Sequence, residues 1–179
     1  MTLTTAPDFT DGPITAAKLQ QLSDAINDRT PIFSQCTTDQ TVTSSTTLVN
    51  SAIVLPVKAS RVYAGYLAAV YGAVQAADIK FAWAVPGSTT IQRKNVLYAE
   101  ATSSTNAATG ELIVMRQRAA TTEQIVSGKI DTNFDDYFEF LKINADTDGN
   151  CVLQFAQNTS NATGSILRAQ TYAIIWLVD

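Results

Sequence analysis

Residues 62–87 read VYAGYLAAVYGAVQAADIKFAWAVPG. The first half of this stretch is apolar at both parities, so a strand built from it would have no polar face. One face would carry Val62, Tyr66 and Val70, and the other would carry Tyr63, Leu67 and Tyr71. We therefore predict a long strand that is either central in its sheet or lies at a subunit interface.

The second half of the stretch alternates between apolar and other residues, as a strand with one buried face does. The predicted inward set is Ile79, Phe81, Trp83 and Val85, and the predicted outward set is Asp78 and Lys80. Pro86-Gly87 then marks a turn. Two adjacent strands of this kind favour a sheet that packs on a second layer.

The same two-residue period continues from Ile32 to the C-terminus, without the strand–helix–strand alternation of parallel sheets. Strands are expected near residues 33–43, 46–57, 60–74, 77–85, 89–98, 110–118, 122–130, 134–144 and 151–157, with a last strand ending at 178. We predict an all-β fold, an antiparallel two-sheet β-sandwich of jelly-roll type. The polar run 102–110 is expected to be a loop.

One segment breaks the simple alternation. In 134–144 the apolar positions change parity, from Phe138 and Phe140 to Leu141 and Ile143. If all four side chains point inward, the strand needs an extra residue, which predicts a β-bulge.

The N-terminal part is different, and we divide the chain into an arm with a helix (1–31) and a β-sandwich (32–179). Residues 1–13 are expected to be extended, and Thr15 is a suitable N-cap for a helix that ends before Pro31. Its apolar residues are Ile14, Leu19, Leu22 and Ile26, of which Ile14 and Leu19 match a hydrophobic staple. So short a helix needs a partner, either its own sandwich or the same helix of a neighbouring subunit. These four residues are the predicted attachment or oligomerisation site.

Composition excludes several function classes. The net charge is -4, with only 16% charged residues and 12 scattered Lys and Arg, which argues against nucleic-acid binding. We interpret the nearest basic group, Arg93 and Lys94 with Arg116 and Arg118, as solvated strand edges. No apolar run is long enough for a transmembrane helix, and the first residues do not match a signal peptide. We expect neither nucleic acid nor membrane as a partner.

Histidine is absent and there are two cysteines, Cys36 and Cys151, so ordinary zinc sites of Cys and His are excluded. A disulfide between the two cysteines is one alternative, but we expect free, buried thiols in a chain that folds inside a cell. Without histidine the usual nucleophilic triads are also excluded. We expect no cofactor and no enzymatic activity.

Two acidic clusters are candidate sites. Asp131, Asp135, Asp136 and Glu139 contain the carboxylate pairs that glycosidases need, but solvated acids are ordinary at the entry to a strand, and this is the preferred interpretation. Asp146, Asp148 and Asn150 resemble the start of a calcium loop. That match fails because Cys151 stands where the loop requires glycine and Gln157 where it requires glutamate. A hairpin turn through Asp148-Gly149 is the preferred interpretation.

Exposed aromatic residues such as Tyr98 or Tyr172 are candidates for stacking on sugars, with core packing as the default.

Two stretches, 41–90 and 149–177, resemble a recurrent β-domain of structural proteins from tailed bacteriophages, especially those infecting actinobacteria. The resemblance is carried by TSSTTLVN followed by VLPV, by AADIKFAW before the Pro-Gly turn, and by LQFAQNTSNAT before the last strand. PITAAKLQQLSDAIND (13–28) is similar to the short attachment helix that often precedes such domains. Residues 91–148 depart from the pattern, and no catalytic or metal residue is carried over.

The resemblance implies a non-enzymatic virion protein, assembled in the cytoplasm of the host bacterium. We expect a capsid decoration or head-fibre protein whose partners are the major capsid protein or tail proteins, and a homotrimer at a symmetric site of the particle. The alternative is a minor tail or receptor-binding protein that recognises a host-surface glycan. An enzyme acting on surface polysaccharide is the third and weakest hypothesis.

Overall fold

The computed structural model describes residues 5–8, 12–100, 111–128 and 134–178, with the side chains of 97–100 and 111–116 left outside that description. Within these ranges one helix precedes twelve strands. The helix is α1 (Ala16–Arg29), and the strands are β1 (Ile32–Gln35), β2 (Gln40–Val42), β3 (Val49–Val57), β4 (Arg61–Gly72), β5 (Ile79–Ala84), β6 (Thr90–Glu100), β7 (Glu111–Ala119), β8 (Gln124–Val126), β9 (Asp135–Ala145), β10 (Gly149–Gln157), β11 (Ser165–Leu167) and β12 (Tyr172–Leu177). The predicted loop 102–110 falls outside the described residues.

The strands form two antiparallel sheets, which confirms the predicted sandwich. The large sheet has the order β1-β12-β4-β9-β6-β7, and the short strands β11 and β2 join it through β4. The small sheet has the order β3-β10-β5-β8. The first expected strand, 33–43, is divided into β1 and β2.

The pairing is that of a jelly roll. Eight strands pair in nested order along the chain: β1 with β12, β3 with β10, β4 with β9, and β5 with β8. A long ribbon folded in this way and wrapped around itself is the eight-stranded jelly roll. The hairpin β6–β7 is inserted between the innermost pair and widens the large sheet beyond β9.

Because of this wrapping, most connections cross from one sheet to the other. The connection from β9 to β10 is one of them, since β9 pairs with β4 in the large sheet and β10 with β3 and β5 in the small sheet. The predicted hairpin turn through Asp148-Gly149 is therefore wrong. The turn residues are correct, but they make a corner between the two layers.

The core lies between the sheets and is built from the inward parities of the opening stretch. Tyr63, Leu67 and Tyr71 of β4 are buried, and Phe81 and Trp83 of β5 face them from the other layer. β4 lies between β12 and β9, so the prediction of a central strand is confirmed. Gly65 is needed here, because a Cβ at this position would overlap the backbone carbonyl oxygen of Ile174 in β12.

The predicted β-bulge in 134–144 is wrong. β9 pairs with β4 in one unbroken register from Tyr71↔Asp135 to Arg61↔Ala145. The inward set includes Glu139 and Leu141, whereas Phe138 and Phe140 point away from the core. The prediction was wrong because it assumed that Phe138 and Phe140 are buried, which leaves the intervening Glu139 on the outer side.

An irregularity does occur in β3, where the register with β10 shifts between Val152 and Gln154. Two backbone amides of β3 are satisfied by side chains of neighbouring segments rather than by β10. The amide of Ala52 donates to Oε1 of Gln40, and that of Val54 donates to Oγ of Ser34. Side chains of β1 and β2 therefore satisfy amides of β3, which is an edge strand of the small sheet.

The helix begins as predicted, with the Thr15 hydroxyl accepting a hydrogen bond from the backbone N–H of Lys18. It contacts β12, and Ala25 is its buried residue. An ion pair of 3.2 Å between Asp28 and Arg61 joins the end of the helix to the start of β4. Of the two expected partners, its own sandwich is the one observed. No helix among the described residues is long and apolar enough to span a membrane.

Candidate functional site

Glu139 is the most unusual residue of the core, because its carboxylate is fully buried in the sandwich. Three donors surround it at 2.6 Å: the Arg93 Nε and the Tyr137 hydroxyl donate to Oε1, and the Trp83 indole N–H donates to Oε2. A buried carboxylate is stable only when it is paired and hydrogen-bonded in this way.

Arg93 is also fully buried, which corrects its interpretation as a solvated strand edge. Its Nη1 donates to the carbonyls of Ala120 and Thr122 in the β7–β8 connection, at 3.2 and 2.7 Å, and its Nη2 donates to the carbonyl of Phe81 at 3.3 Å. The guanidinium therefore joins β6 of the large sheet to β5 of the small sheet and to the β7–β8 connection.

Tyr137 completes this cluster. Its ring stacks on that of Phe81 with a centroid distance of 5.1 Å and an interplanar angle of 6°. Burial and the Glu139 carboxylate raise the pKa of Tyr137 well above its ordinary value, so its hydroxyl stays protonated and donates. All these side chains are closed to solvent and have partners in both layers. The cluster Trp83–Arg93–Tyr137–Glu139 is thus an inter-sheet brace rather than a site that a substrate reaches.

The acidic cluster predicted from sequence does not come together as one site. Glu139 points into the core, whereas Asp136 on the same strand points to solvent from the opposite face. Asp131 lies outside the described residues. No group of three or more His, Cys, Asp or Glu side chains within the described ranges is arranged to hold a metal ion.

The residues that resembled a calcium loop have a local structural role. Asp148 Oδ1 accepts a hydrogen bond of 2.6 Å from the backbone N–H of Ala59, and its Oδ2 lies 3.7 Å from Lys58 Nζ. This backbone hydrogen bond and the Lys58 charge lower the pKa of Asp148. Asp148 thereby ties the β9–β10 corner to the β3–β4 turn. A cleft of about 440 Å³ opens beside it, below the end of α1.

Cys36 and Cys151 are free and fully buried, as expected. Burial raises the pKa of each thiol to about 11. Neither thiol is an accessible nucleophile, because nucleophilic cysteines have a lowered pKa and contact solvent.

When α1 docks, one of the four predicted attachment residues becomes half-buried and the other three stay exposed. Leu22 is half-buried against the sandwich. The other three are among the most exposed apolar side chains: Ile14 at 65%, Leu19 at 54% and Ile26 at 56%. Leu19 and Ile26 are two helical turns apart on one side of the helix, so a narrow apolar stripe remains open after the helix has docked.

A second exposed apolar surface lies on the outer face of the large sheet. One row across the strands contains Phe33, Ile174, Tyr66, Phe140 and Lys94, in register from β1 to β6. The next row on this face contains Gln35, Tyr172, Ala68, Phe138 and Val96. We call these two rows the aromatic face.

The centre of the aromatic face is a shallow groove of about 310 Å³ between Tyr66, Phe138, Phe140 and Tyr172. The rings of Tyr66 and Tyr172 meet edge to face at 6.1 Å. Partial desolvation and a hydrogen bond with Tyr66 raise the pKa of Tyr172. Tyr172 is thus half-buried in this outer groove rather than in the core, while the Tyr98 side chain lies outside the described residues.

Sequence reasoning missed both the brace and the aromatic face, although one signal was present. Asp136 and Lys142 have the same parity as Phe138 and Phe140, so all four side chains are expected on one face of the strand. Charged residues at both ends of this group indicate that the face is exposed to solvent. That signal assigns Glu139 to the inner side.

No protein-family model matches the chain, and no curated protein is significantly similar to it.

Proposed function

We propose that this chain is a non-enzymatic structural protein of a tailed-phage particle, a capsid decoration or head-fibre protein that attaches through its N-terminal helix. The observation that carries the proposal is the open stripe of α1. The helix is already docked through Ala25 and the Asp28–Arg61 ion pair, yet Leu19 and Ile26 remain more than half exposed. Apolar side chains aligned on an otherwise polar helix are typical of a helix that fits into a partner's groove.

The topology is compatible with this proposal. Jelly rolls are common in viral capsid proteins and in lectins, although a fold by itself does not determine function. The sequence resemblance to phage structural β-domains points in the same direction. A homotrimer at a symmetric site of the particle remains a prediction from that resemblance.

The chemistry of the described residues also supports a structural protein. The Glu139 carboxylate is closed to solvent, and both of its oxygens accept hydrogen bonds. A general acid or base must reach the proton that it transfers, and Glu139 reaches only the core.

The second candidate is a host-recognition module that binds a cell-surface glycan. The aromatic face favours it, because half-buried rings that border a surface groove, such as those of Tyr66 and Tyr172, can stack on sugars. Glycan binding also needs several hydrogen-bonding groups beside the rings, whereas the groove is lined mainly by ring carbons. Decoration therefore remains the first candidate.

The test measures binding of the full-length purified protein to particles of the encoding phage from which this protein has been removed. We expect the variant Leu19→Ser/Ile26→Ser to bind at least about tenfold more weakly with an unchanged thermal midpoint. The matched control is Ile125→Ser, which removes an exposed isoleucine of 45% exposure from the small sheet and should bind like the parent.

Cryo-EM of the intact particle is the second readout. Density on the capsid with α1 against the shell would support decoration. Density confined to the tail tip, or unchanged binding of Leu19→Ser/Ile26→Ser, would overturn it in favour of the second candidate.

A further inference from the structure

The outward-facing side chains of β9 form a short pattern with opposite charges at its two ends. From one end to the other it presents Asp136, Phe138, Phe140 and Lys142, all exposed. Phe138 is 43% and Phe140 54% accessible to solvent, and within the described residues neither Asp136 nor Lys142 has an ion-pair partner. An acid, two large apolar residues and a base form a pattern that is complementary to its own reverse.

The strands beside β9 continue the apolar surface. Tyr66 and Ala68 of β4 lie next to Phe140 and Phe138, and Ile174 and Tyr172 of β12 follow them in the same two rows. At the edge of the sheet, Phe33 of β1 packs on Tyr172 with ring centroids 5.9 Å apart and remains 58% exposed. The aromatic face is therefore continuous over five strands.

Its size is that of a protein interface. Five strands at about 4.8 Å each make a face about 24 Å wide, and residues 136–142 extend about 20 Å along β9. The projected area, with Asp136 and Lys142 included, is roughly 500 Å², which is comparable to the largest patches that mark interaction sites on monomers. Two such faces in contact would remove roughly 1,000 Å² from water, which is the lower limit for a specific protein interface.

We propose that the aromatic face binds the same face of a second copy of this chain, around a two-fold axis. The axis lies between the two large sheets and runs across the strands at the level of Glu139. The two β9 strands are then antiparallel to each other across the interface. Asp136 lies opposite Lys142 of the second copy, and Phe138 lies opposite Phe140 of the second copy.

On β4 the same axis also matches a large side chain with a small one. It places Tyr66 opposite Ala68 of the second copy, so a protruding ring meets the lowest point of the facing strand. Sheets pack face to face at about 10 Å when their side chains interdigitate in this way. An axis along β9 would instead place Asp136 opposite Asp136 of the second copy and Lys142 opposite Lys142, which opposes like charges.

This pairing is separate from the stripe on α1 and does not depend on where in a particle the protein lies. A face that pairs by two-fold symmetry is isologous, so it yields a closed dimer without further copies. Leu19→Ser/Ile26→Ser should therefore lose particle attachment but still form the dimer. Variants that lose the dimer should still have an intact attachment stripe.

The test is analytical ultracentrifugation of the full-length protein from about 0.1 to 200 µM. We expect a monomer–dimer equilibrium. Either single charge reversal, Asp136→Lys or Lys142→Asp, opposes like charges twice in each dimer, and we expect the dissociation constant to rise at least about tenfold. The double variant Asp136→Lys/Lys142→Asp restores opposite charges and should return to within about threefold of the parent.

The matched control is Lys58→Asp, which reverses an exposed charge away from the aromatic face and should leave the dissociation constant unchanged. Phe140→Ser should weaken the dimer while keeping the thermal midpoint within a few degrees. A monomer at every concentration, a trimer insensitive to these substitutions, or a double variant as weak as the single ones would overturn the proposal. So would a monomer whose groove binds a glycan instead.

Discussion

The Nε of Arg93 lies 2.6 Å from Oε1 of Glu139, and neither side chain is accessible to solvent. Arg93 stands on β6 and Glu139 on β9, which are neighbours in the large sheet, and both reach across to the small sheet through Phe81 and Trp83. A buried pair of this kind adds little stability compared with apolar residues of similar size, but losing one partner is costly. The pair therefore mainly determines which strands face each other, and adds little to the free energy of unfolding.

Glu139→Gln should reduce the free energy of unfolding by about 3–5 kcal/mol, because the Arg93 guanidinium is left buried without a counter-charge. Urea denaturation at pH 7 measures it. The control Glu123→Gln makes the same chemical change at a half-exposed residue whose partner, Lys80, has a side chain that is 10% exposed. We expect a smaller loss than in Glu139→Gln, because this pair still reaches solvent. The double variant Arg93→Met/Glu139→Gln should lose less than Glu139→Gln alone. An equal or larger loss would refute the role of the buried charge.

Trp83→Phe keeps most of the apolar volume but removes the indole donor to Glu139 Oε2. An unpaired carboxylate oxygen in the core should cost about 1–3 kcal/mol of unfolding free energy. Trp176→Phe is the matched control, since Trp176 is 40% exposed on the outer side of β12. A similar loss in both variants would mean that ring size, not the hydrogen bond, determines the effect.

The buried thiols predict a fall in stability at alkaline pH. Burial raises the pKa of Cys36 and Cys151 from 9.0 to about 11, so the folded protein holds protons that the unfolded chain releases above pH 9. Stability contributed by the two neutral thiols is complete below pH 9 and is lost as the pH rises towards 11. Urea denaturation at pH 8, 9, 10 and 11 measures the slope.

The variant Cys36→Ala/Cys151→Ala is the control for this slope and should show a shallower decline between pH 9 and 10. Iodoacetamide at pH 8 should label neither cysteine of the native protein and both after denaturation. Rapid labelling of the native protein, or a slope unchanged in the double variant, would contradict the assignment.

Gly65→Ala should destabilise the sandwich by at least about 3 kcal/mol or prevent folding, because overpacking against backbone cannot be relieved by a rotamer change. The added Cβ would overlap the Ile174 carbonyl oxygen and lie 2.7 Å from Ile175 Cα. Ala64→Ser, one residue away on the outer parity, should cost less than about 1 kcal/mol. Thermal unfolding of both variants, followed by circular dichroism, compares them directly. A Gly65→Ala variant as stable as the parent would show that β12 moves freely relative to β4.

The sequence did not predict that the β6–β7 hairpin is an insertion in the jelly roll, nor that the large sheet has an exposed aromatic face. Ten strand segments were expected near their observed positions, and Thr15, Cys36 and Cys151 have the predicted environments. The parity of 134–144 was predicted wrongly, because a local pattern scores a phenylalanine as inward wherever it stands. Only the partners on β5 and β6 show that Glu139 is stabilised inside. Whether the arm and sandwich are separate units, and whether the chain is a virion component, stay predictions.

The sequence by itself determined the strand periodicity, the capped helix and the exclusion of histidine chemistry, because these depend on residues close together in the chain. It left β4 as either a central strand or an interface strand. The tertiary structure decided the nested jelly-roll pairing, the burial of Arg93 and Glu139, and the exposure of Phe138 and Phe140. Those features depend on residues far apart in the chain. Trp83 and Glu139 are 56 residues apart, and the outermost strand pair joins Ile32 to Ile175. A charge becomes a core residue only when distant donors converge on it, and no local period encodes that convergence.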